Sequence, residues 1–270
     1  MNTRPGMSSH LRPLTSDEMR HYVQELRVNF SAAQVINQRG DRLIVRWRQP
    51  GSASPVVLKM WARPHLGNKF RHFLGIAPSD YEWKNMRRLG EAGITVPRHL
   101  GFCRLVPPIA GYTEALFTED LGPCQSATEH LKGLIRSGDE QKALAFEDVI
   151  IEMTRRLVHA GMIDDDHGLL NIVVQPSGRA VRLDLELCRK VLWPYLFPRA
   201  YGRMLGRVIG LHAFAVQPDV ERTTAFAGRL RQQLWPPFNV LRHASAYAQW
   251  LMNGQRNHFG IDTRLVLPWD

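Results

Sequence analysis

The sequence predicts an α+β protein in which a small β-rich lobe precedes a larger helical lobe. Short strand-like segments separated by turns fill most of the chain before residue 122, with one clear helix among them. Helical periodicity dominates from Ser126 onward. The length of 270 residues, with 44% hydrophobic and 22% charged residues, suits one large domain or two small lobes. We therefore expect a leader with a first helix over residues 1–30, a β-rich lobe over 31–122 and a helical lobe over 123–270.

Composition and charge exclude several classes of protein. No apolar run approaches the roughly 18 residues of a membrane-spanning helix, and the N-terminus lacks the apolar core of a secretory signal. Three widely spaced cysteines exclude a disulfide scaffold and a zinc-type pair, so we expect a reducing, cytoplasmic location. The 35 lysines and arginines against 25 acidic residues give a charge of +10. This surface favours an anionic partner, which charge alone leaves open between nucleic acid, anionic lipid and phosphorylated sugars.

The β-rich lobe begins after a short helix predicted over Asp17–Val28, with Ser16 as its N-cap. Strands are predicted at Ala33–Asn37, Arg42–Trp47, Val56–Trp61, Ile94–Pro97 and Glu114–Thr118. A hairpin turn over residues 38–41 joins the first two strands. A basic loop over residues 63–72 leads to a helix over Ser79–Ala92, which Gly93 ends.

The helical lobe contains its strongest helix over Leu144–Ala160, followed by Gly161, and further helices within residues 198–253. Between them the pattern predicts a β-hairpin. Its first strand is Ile172–Gln175, its turn spans residues 176–178, and its second strand is Arg179–Leu185 with alternating apolar residues.

This hairpin gathers the most informative polar residues of the chain. Asp184 at the end of the second strand returns to the neighbourhood of Asn171 at the start of the first. Asp166 lies five residues before Asn171, on the adjoining loop. An oxygen pair beside a third carboxylate suits a hard cation such as Mg²⁺. The alternative is an acidic loop whose aspartates are solvated or bind backbone groups.

The spacing of these residues resembles that of the protein-kinase-like phosphotransferases. Their catalytic loop has the pattern H-x-D-x-x-x-x-N, and a later aspartate, usually in D-F-G, holds Mg²⁺ on the nucleotide phosphates. The resemblance implies a protein-kinase-like two-lobe fold that uses ATP and Mg²⁺. It implies that Asp166 is the catalytic aspartate and that Asn171 and Asp184 are metal ligands.

The same resemblance assigns the nucleotide-binding residues of the first lobe. Lys59 matches the strand lysine that binds the phosphates, and Glu82 matches the glutamate that positions this lysine. Glu82 also fits a capping box that begins at Ser79, in which it only closes the start of the helix. Glu119 and Leu121 fall in the segment that should present backbone groups to adenine, although this segment also fits a polar turn between lobes.

Within this superfamily the chain is most similar to the lipopolysaccharide kinase family, over roughly residues 55–190. The similarity is carried by Leu58–Trp61, Glu82–Leu89 continuing into Ala92–Pro97, and Phe117–Leu121. It implies an ATP-dependent kinase that phosphorylates a sugar hydroxyl of the lipopolysaccharide core. The expected partner is therefore a lipid-linked or other anionic glycan rather than nucleic acid, with peripheral association at the inner face of the cytoplasmic membrane.

Several positions depart from the kinase pattern. Asp164 stands where the loop histidine is expected, and residues 184–186 read Asp-Leu-Glu instead of D-F-G. Gly168 replaces the lysine of protein serine/threonine kinases, and no G-x-G-x-x-G motif opens the chain. These departures leave two further hypotheses: a pseudokinase that acts as a regulatory or binding module, and a kinase for a small molecule or protein.

Overall fold

A computed structural model describes residues 13–49, 54–62, 77–259 and 265–269 of the protein, which divides into two compact units. The first unit comprises residues 1–87 and 97–121, and the second comprises residues 88–96 and 122–270. A five-stranded antiparallel sheet lies in the first unit, and the second unit is mainly helical. The predicted α+β class is confirmed.

The first unit is built on this sheet. Its elements are α1 (Ser16–Val28), β1 (Gln34–Arg39), β2 (Arg42–Trp47), β3 (Val56–Ala62), most of α2 (Pro78–Glu91), β4 (His99–Ile109) and β5 (Tyr112–Glu119). The strands lie in the order β1-β2-β3-β5-β4, and every neighbouring pair is antiparallel. The predicted basic loop over residues 63–72 lies outside the described residues.

Strand β3 occupies the centre of the sheet and separates its two faces. Val56, Leu58 and Met60 are buried and pack in one core with Leu26 of α1. Because successive side chains of a strand point to opposite faces, Lys59 leaves the sheet on the other side. The sequence of β3 therefore sets both the core and the position of its lysine.

The start of α1 differs from the prediction by one residue. Thr15, not Ser16, is the N-cap: its hydroxyl accepts the N–H of Glu18, and the Glu18 carboxylate accepts the N–H of Thr15 at 2.7 Å. A capping box needs Glu or Gln three residues after the cap, and Glu18 meets that condition only for Thr15.

Two strand predictions of the first lobe also need correction. Ile94–Pro97 forms no strand, and its Thr95 carbonyl instead accepts a single backbone hydrogen bond from Arg182 at 2.8 Å. Strand β4 was not predicted, because Pro107 and Pro108 interrupt its pattern. The strand tolerates both prolines because it lies at the edge of the sheet, where a missing N–H breaks no central ladder.

The second unit contains the longer helices and two small sheets. The helices are α3 (Ala127–Arg136), α4 (Glu140–His159), α5 (Pro198–Val216), α6 (Val220–Leu234) and α7 (Phe238–Phe259). The strands are β6 (Gln125–Ser126), β7 (Met162–Asp164), β8 (Ile172–Val174), β9 (Ala180–Arg182) and β10 (Cys188–Lys190), paired as β6-β8-β9 and β10-β7. Among the described residues, no helix is both long and apolar enough to span a bilayer.

Helices α5 and α7 pack so closely that glycine is needed between them. A Cβ on Gly202 would lie 2.7 Å from the carbonyl oxygen of Val240, and one on Gly206 would lie 2.9 Å from Cβ of Tyr247. Residues further along α5 therefore meet residues further along α7, and the two helices run parallel. This packing fixes the position of α5, which carries charged side chains to the loop between β7 and β8.

Candidate active site

Lys59 and Glu82 form a buried ion pair within the first unit. The Lys59 Nζ atom lies 2.9 Å from one carboxylate oxygen of Glu82 and 3.2 Å from the other. The two side chains are 12% and 3% exposed. Strand β3 and the first turns of α2 hold the two residues, so the pair links the sheet to the helix. The geometry is that of an ammonium group oriented by a carboxylate.

The competing interpretation of Glu82 as a helix cap is wrong. The hydroxyl of Ser79 donates to the Glu114 carboxylate at 3.0 Å, and the Ser79 N–H donates to the same oxygen. Glu114 of β5 therefore satisfies the start of α2 from another element, where a negative charge also complements the helix dipole. The Glu82 carboxylate therefore does not serve as the helix cap, and it pairs with the ammonium group of Lys59.

The segment that ends β5 holds the other two predicted nucleotide-binding residues. The Glu119 N–H donates to the Arg98 carbonyl, and its carboxylate accepts the Arg98 N–H at 2.8 Å. The Glu119 side chain and its N–H thus both bind the Arg98 backbone, so neither of them is the group that would contact a base. Leu121 ends the first unit.

In the second unit, Asp164 braces the loop that follows β7. Its side chain is completely buried, and its carboxylate accepts the backbone N–H of Asp166 at 2.9 Å. The same carboxylate forms an ion pair with Arg182 of β9. The aspartate at the position expected for histidine therefore holds the loop through a charged partner that the sequence comparison with kinases did not indicate.

Arg182 connects this loop to the β8–β9 hairpin. Besides Asp164, its guanidinium donates to the carbonyls of Asn171 at 2.8 Å, Asp166 at 3.2 Å and Leu183. Five N–H groups in a rigid plane allow one arginine to bind several acceptors. A single buried cation thus fixes the backbone at both Asp166 and Asn171.

The Asp166 carboxylate is paired with Arg207 of α5, at 2.5 Å. Gly168, two residues after Asp166, packs directly on α5, and a Cβ there would overlap the side chain of Leu211. A side chain at position 168 would have to displace the end of the Leu211 side chain. Arg207 therefore brings a cation to Asp166 from α5.

Asn171 and Asp184 lie where the predicted hairpin should bring them. The Asn171 carbonyl accepts the Leu183 N–H at 2.8 Å, so the residue before Asp184 is opposite Asn171. The predicted second strand is too long, because β9 ends at Arg182 and Asp184 adopts a left-handed backbone conformation with φ of 52°. Aspartate tolerates this conformation better than most residues.

These residues supply oxygen atoms that fit a hard cation. The Asn171 side-chain N–H₂ donates to the Asp166 carbonyl at 2.9 Å, which leaves the amide oxygen as the atom that could bind a metal. Carboxylate oxygens of Asp184 and Glu186 lie within 4.8 Å of each other. Amide and carboxylate oxygens are the donors that Mg²⁺ prefers. Asp184, Asn171 and Glu186 could therefore hold Mg²⁺.

His167 is a neutral structural residue beside the loop. Its ring is fully buried and its Nε2 lies 2.8 Å from the hydroxyl of Thr154. Burial, and then the charges of Arg182 and Arg207, hold its pKa well below the ordinary value of 6.5. His167 thus contributes packing and a hydrogen bond, not a proton, near Asp166.

Sequence reasoning missed Arg182, Arg207 and Glu186. A signal for the first was available, since Arg182 and Asp164 are opposite charges in otherwise apolar strands and a buried charge requires a partner. Arg207 gave no comparable signal, because it is one of several arginines on α5.

A protein family and a solved structure are similar to this chain. The sequence profile of the lipopolysaccharide kinase (Kdo/WaaP) family matches residues 58–194. The fold is similar to that of a solved structure described as WaaP in complex with acyl carrier protein, with a TM-score of 0.58 at 16% sequence identity. This similarity covers 88% of the chain and 98% of the solved one, which supports the two-lobe kinase-like fold. No curated protein sequence matches the chain significantly.

The matched residues run from β3, beside Lys59, through the loop of Asp166 and Asn171 to the segment after Asp184, and they span half of the chain. The chain therefore belongs to the lipopolysaccharide kinase (Kdo/WaaP) family and is a phosphotransferase.

Proposed function

We propose that the protein transfers the γ-phosphoryl group of ATP to a sugar hydroxyl of the lipopolysaccharide core, with Mg²⁺ as cofactor. The observation that carries the proposal is the braced loop of the second unit. One buried guanidinium binds the carbonyls of Asp166 and Asn171, and the Asn171 amide binds Asp166 in turn. Such a loop keeps a carboxylate and an amide oxygen at a constant separation.

Asp166 is the residue that we assign to the acceptor. Its carboxylate would accept a hydrogen bond from the attacking hydroxyl and orient it, and would take the proton late in the reaction. Phosphoryl transfer through a loose transition state depends mainly on positioning and on electrostatic stabilisation. The ion pair with Arg207 favours one orientation of the Asp166 carboxylate.

Asp184, Asn171 and Glu186 are the residues that we assign to the cation. When bound, Mg²⁺ would neutralise charge on the phosphate oxygens during transfer. The left-handed backbone at Asp184 supports this assignment, because unusual backbone conformations are concentrated at functional sites.

Lys59, Glu82, Glu119 and Leu121 are the residues that we assign to the nucleotide. Lys59 would bind phosphate oxygens while Glu82 holds its ammonium group in place, and backbone groups of Glu119 and Leu121 would contact adenine. We accordingly propose residues 31–122 as the nucleotide-binding lobe and residues 123–270 as the lobe that carries the catalytic loop and the metal site.

The departure at Asp164, which favoured the pseudokinase hypothesis, now has a structural explanation that supports activity. Asp164 and Arg182 together brace the loop, so the absence of a loop histidine leaves no gap in its support. We propose that the reaction takes place in the cytoplasm, on a lipid-linked anionic glycan. Acyl carrier protein, the partner named for the similar solved structure, is a second partner to test.

The proposal is tested with purified protein, ATP, Mg²⁺ and core oligosaccharide prepared from a strain that lacks the gene. We expect mass spectrometry to detect one added phosphate on the sugar. Asp184→Ala should abolish transfer while circular dichroism stays unchanged, and Asn171→Ala should weaken it less, since it removes a neutral ligand. Full transfer by the Asp184→Ala variant would refute the mechanism, and phosphate added only to a protein or a small metabolite would refute the acceptor.

A further inference from the structure

One end of the α5–α7 helix pair carries an unusual surface. The two helices run parallel, so both N-termini lie at the same end of the pair. Residues 192–197 lead directly into α5, and residues 235–237 lead into α7. The Tyr195 hydroxyl donates at 3.4 Å to the carbonyl of Leu234, the last residue of α6, and so links the first segment to the residue just before the second. We call this surface the apolar end.

The apolar end exposes large hydrophobic side chains. Its exposed residues are Leu192, Trp193, Leu196, Phe197, Trp235 and Phe238. Leu192 is 85% exposed and Trp235 is 83% exposed. Single exposed hydrophobic residues are normal on protein surfaces, but several in one place mark an interaction site.

The stretches of sequence that form the apolar end carry positive charge. Residues 187–218 and 222–261 contain no aspartate or glutamate. The cationic residues near the helix starts are Arg199 on α5 and Arg242 on α7. The N-terminal ends of α5 and α7 add the positive ends of two helix dipoles. The apolar end therefore complements a partner that combines apolar and anionic groups.

A second copy of the chain does not fit this requirement. A symmetric dimer would bring the same surface of both copies together, and each copy would then oppose arginines to arginines. An anionic phospholipid surface satisfies both requirements, since leucine, tryptophan and phenylalanine enter the interface while arginine binds headgroup phosphates.

We propose that the apolar end docks on an anionic phospholipid membrane and so presents the catalytic loop to the lipid-linked acceptor. The presentation of the catalytic loop to the acceptor rests on the proposed function, whereas the docking on the membrane does not. Arg203 and Arg207 of α5 reach the loop, pairing with Asp165 and Asp166 respectively.

The position of Arg207 along α5 sets a distance from the membrane. Arg207 lies nine residues after Pro198, where α5 begins. At a rise of 1.5 Å per residue, this places it about 14 Å from the end of the helix. With α5 along the membrane normal, a hydroxyl bound at Asp166 would be about that far from the plane of the headgroups. This reach suits a sugar of the core that is separated from the lipid by other sugars.

The docking is tested by co-sedimentation of the full-length protein with vesicles, without nucleotide. Vesicles of phosphatidylcholine alone are compared with vesicles that also contain phosphatidylglycerol. We expect binding only to the second kind, and weaker binding as salt increases. The double variant Leu192→Glu/Leu196→Glu should lower the partition coefficient at least about tenfold, and Arg199→Glu should lower it about tenfold.

The matched control is Val28→Glu/Val35→Glu, which adds the same charge at exposed apolar positions of the first unit. It should lower binding far less than the variant of the apolar end. Phosphorylation of a deacylated, water-soluble acceptor should be equal in all these variants. If the wild-type protein does not phosphorylate this acceptor, the proposed function is rejected and the docking proposal is not.

Three results would overturn the docking proposal. The first is equal vesicle binding by the wild-type protein and the Leu192→Glu/Leu196→Glu variant. The second is that the wild-type protein binds acyl carrier protein but not anionic vesicles, and that the same variant no longer binds acyl carrier protein. The third is a dimer in analytical ultracentrifugation that this variant converts to monomer, again without vesicle binding by the wild-type protein.

Discussion

Arg182 and Asp164 form an ion pair between two small sheets of the second unit, with side chains that are 1% and 0% exposed. The pair is 18 residues apart in sequence, and its arginine also binds the carbonyls of Asp166, Asn171 and Leu183. One interaction therefore connects the buried side of the loop with the backbone of the residues that we assign to catalysis.

The first prediction separates the structural role of this pair from its role in positioning. Arg182→Met leaves the Asp164 carboxylate buried without its partner and should lower the free energy of unfolding by about 3–5 kcal/mol. The double variant Asp164→Leu/Arg182→Met should recover most of that stability, because apolar residues replace a buried pair well. Its turnover should still fall about 10²-fold with KM for ATP unchanged, because the loop carbonyls lose their donor. Recovery of turnover together with stability would reduce the pair to a structural role.

The second prediction concerns Asp166. Asp166→Asn should keep the affinity for ATP and lower turnover by about 10²–10⁴-fold, because the amide cannot accept the proton of the acceptor. Asp165→Asn is the matched control, since its carboxylate lies on the neighbouring residue and pairs with Arg189 and Arg203 at 3.4 and 3.5 Å. Steady-state kinetics with the core oligosaccharide measure both. Equal activity of the two variants would contradict the assignment of Asp166.

The third prediction concerns Lys59 and Glu82. Lys59→Met should impair ATP binding strongly, and Glu82→Gln should impair it more mildly, because glutamine keeps a hydrogen bond to the ammonium group but not the charge. Titration with a fluorescent ATP analogue measures both. Wild-type affinity in Glu82→Gln would contradict this assignment, because it would show that the carboxylate charge is not needed to position Lys59.

The fourth prediction concerns stability against pH. The fold keeps His167 neutral by holding its pKa well below 6.5, and burial lowers the pKa of His212 as well. Below pH 6.5 the unfolded chain binds protons at these histidines that the folded chain does not. The free energy of unfolding is therefore highest above this pH and declines as the pH falls below it. Each group contributes at most about 1.4 kcal/mol per pH unit.

Urea denaturation between about pH 7.5 and pH 5.5 measures this decline. His167→Gln keeps a donor for Thr154 but does not titrate, so its stability should fall less steeply with decreasing pH. An unchanged slope in this variant would contradict the prediction.

The fifth prediction concerns the contact between α5 and α7. Gly206→Ala should destabilise the protein by about 1–3 kcal/mol, because the new methyl group would lie against the Ala244 carbonyl and 2.9 Å from Cβ of Tyr247. Gly133→Ala on α3 is the control, since nothing lies within 4 Å of its added Cβ. It should stabilise the protein by about 0.5–1 kcal/mol through helix propensity. Thermal unfolding of both variants measures whether each substitution lowers or raises the stability of the protein.

Features that depend only on neighbours along the chain could be predicted before the structure was known. The apolar run at Val56–Trp61 predicted the strand that carries Lys59, and the turn at residues 176–178 predicted the hairpin that brings Leu183 opposite Asn171. The five-residue spacing of Asp166 and Asn171, followed by Asp184 after the hairpin, was enough to suggest the protein-kinase-like superfamily.

Only the tertiary structure decided which groups these residues contact. Whether Glu82 caps its helix or binds Lys59 depended on Glu114, which reaches Ser79 from β5. The partners of Asp164 and Asp166 come from β9 and α5, and the apolar end exists because α5 and α7 run parallel. Propensity and periodicity describe a segment in isolation, whereas the partner of a buried charge is chosen by the elements that pack against it.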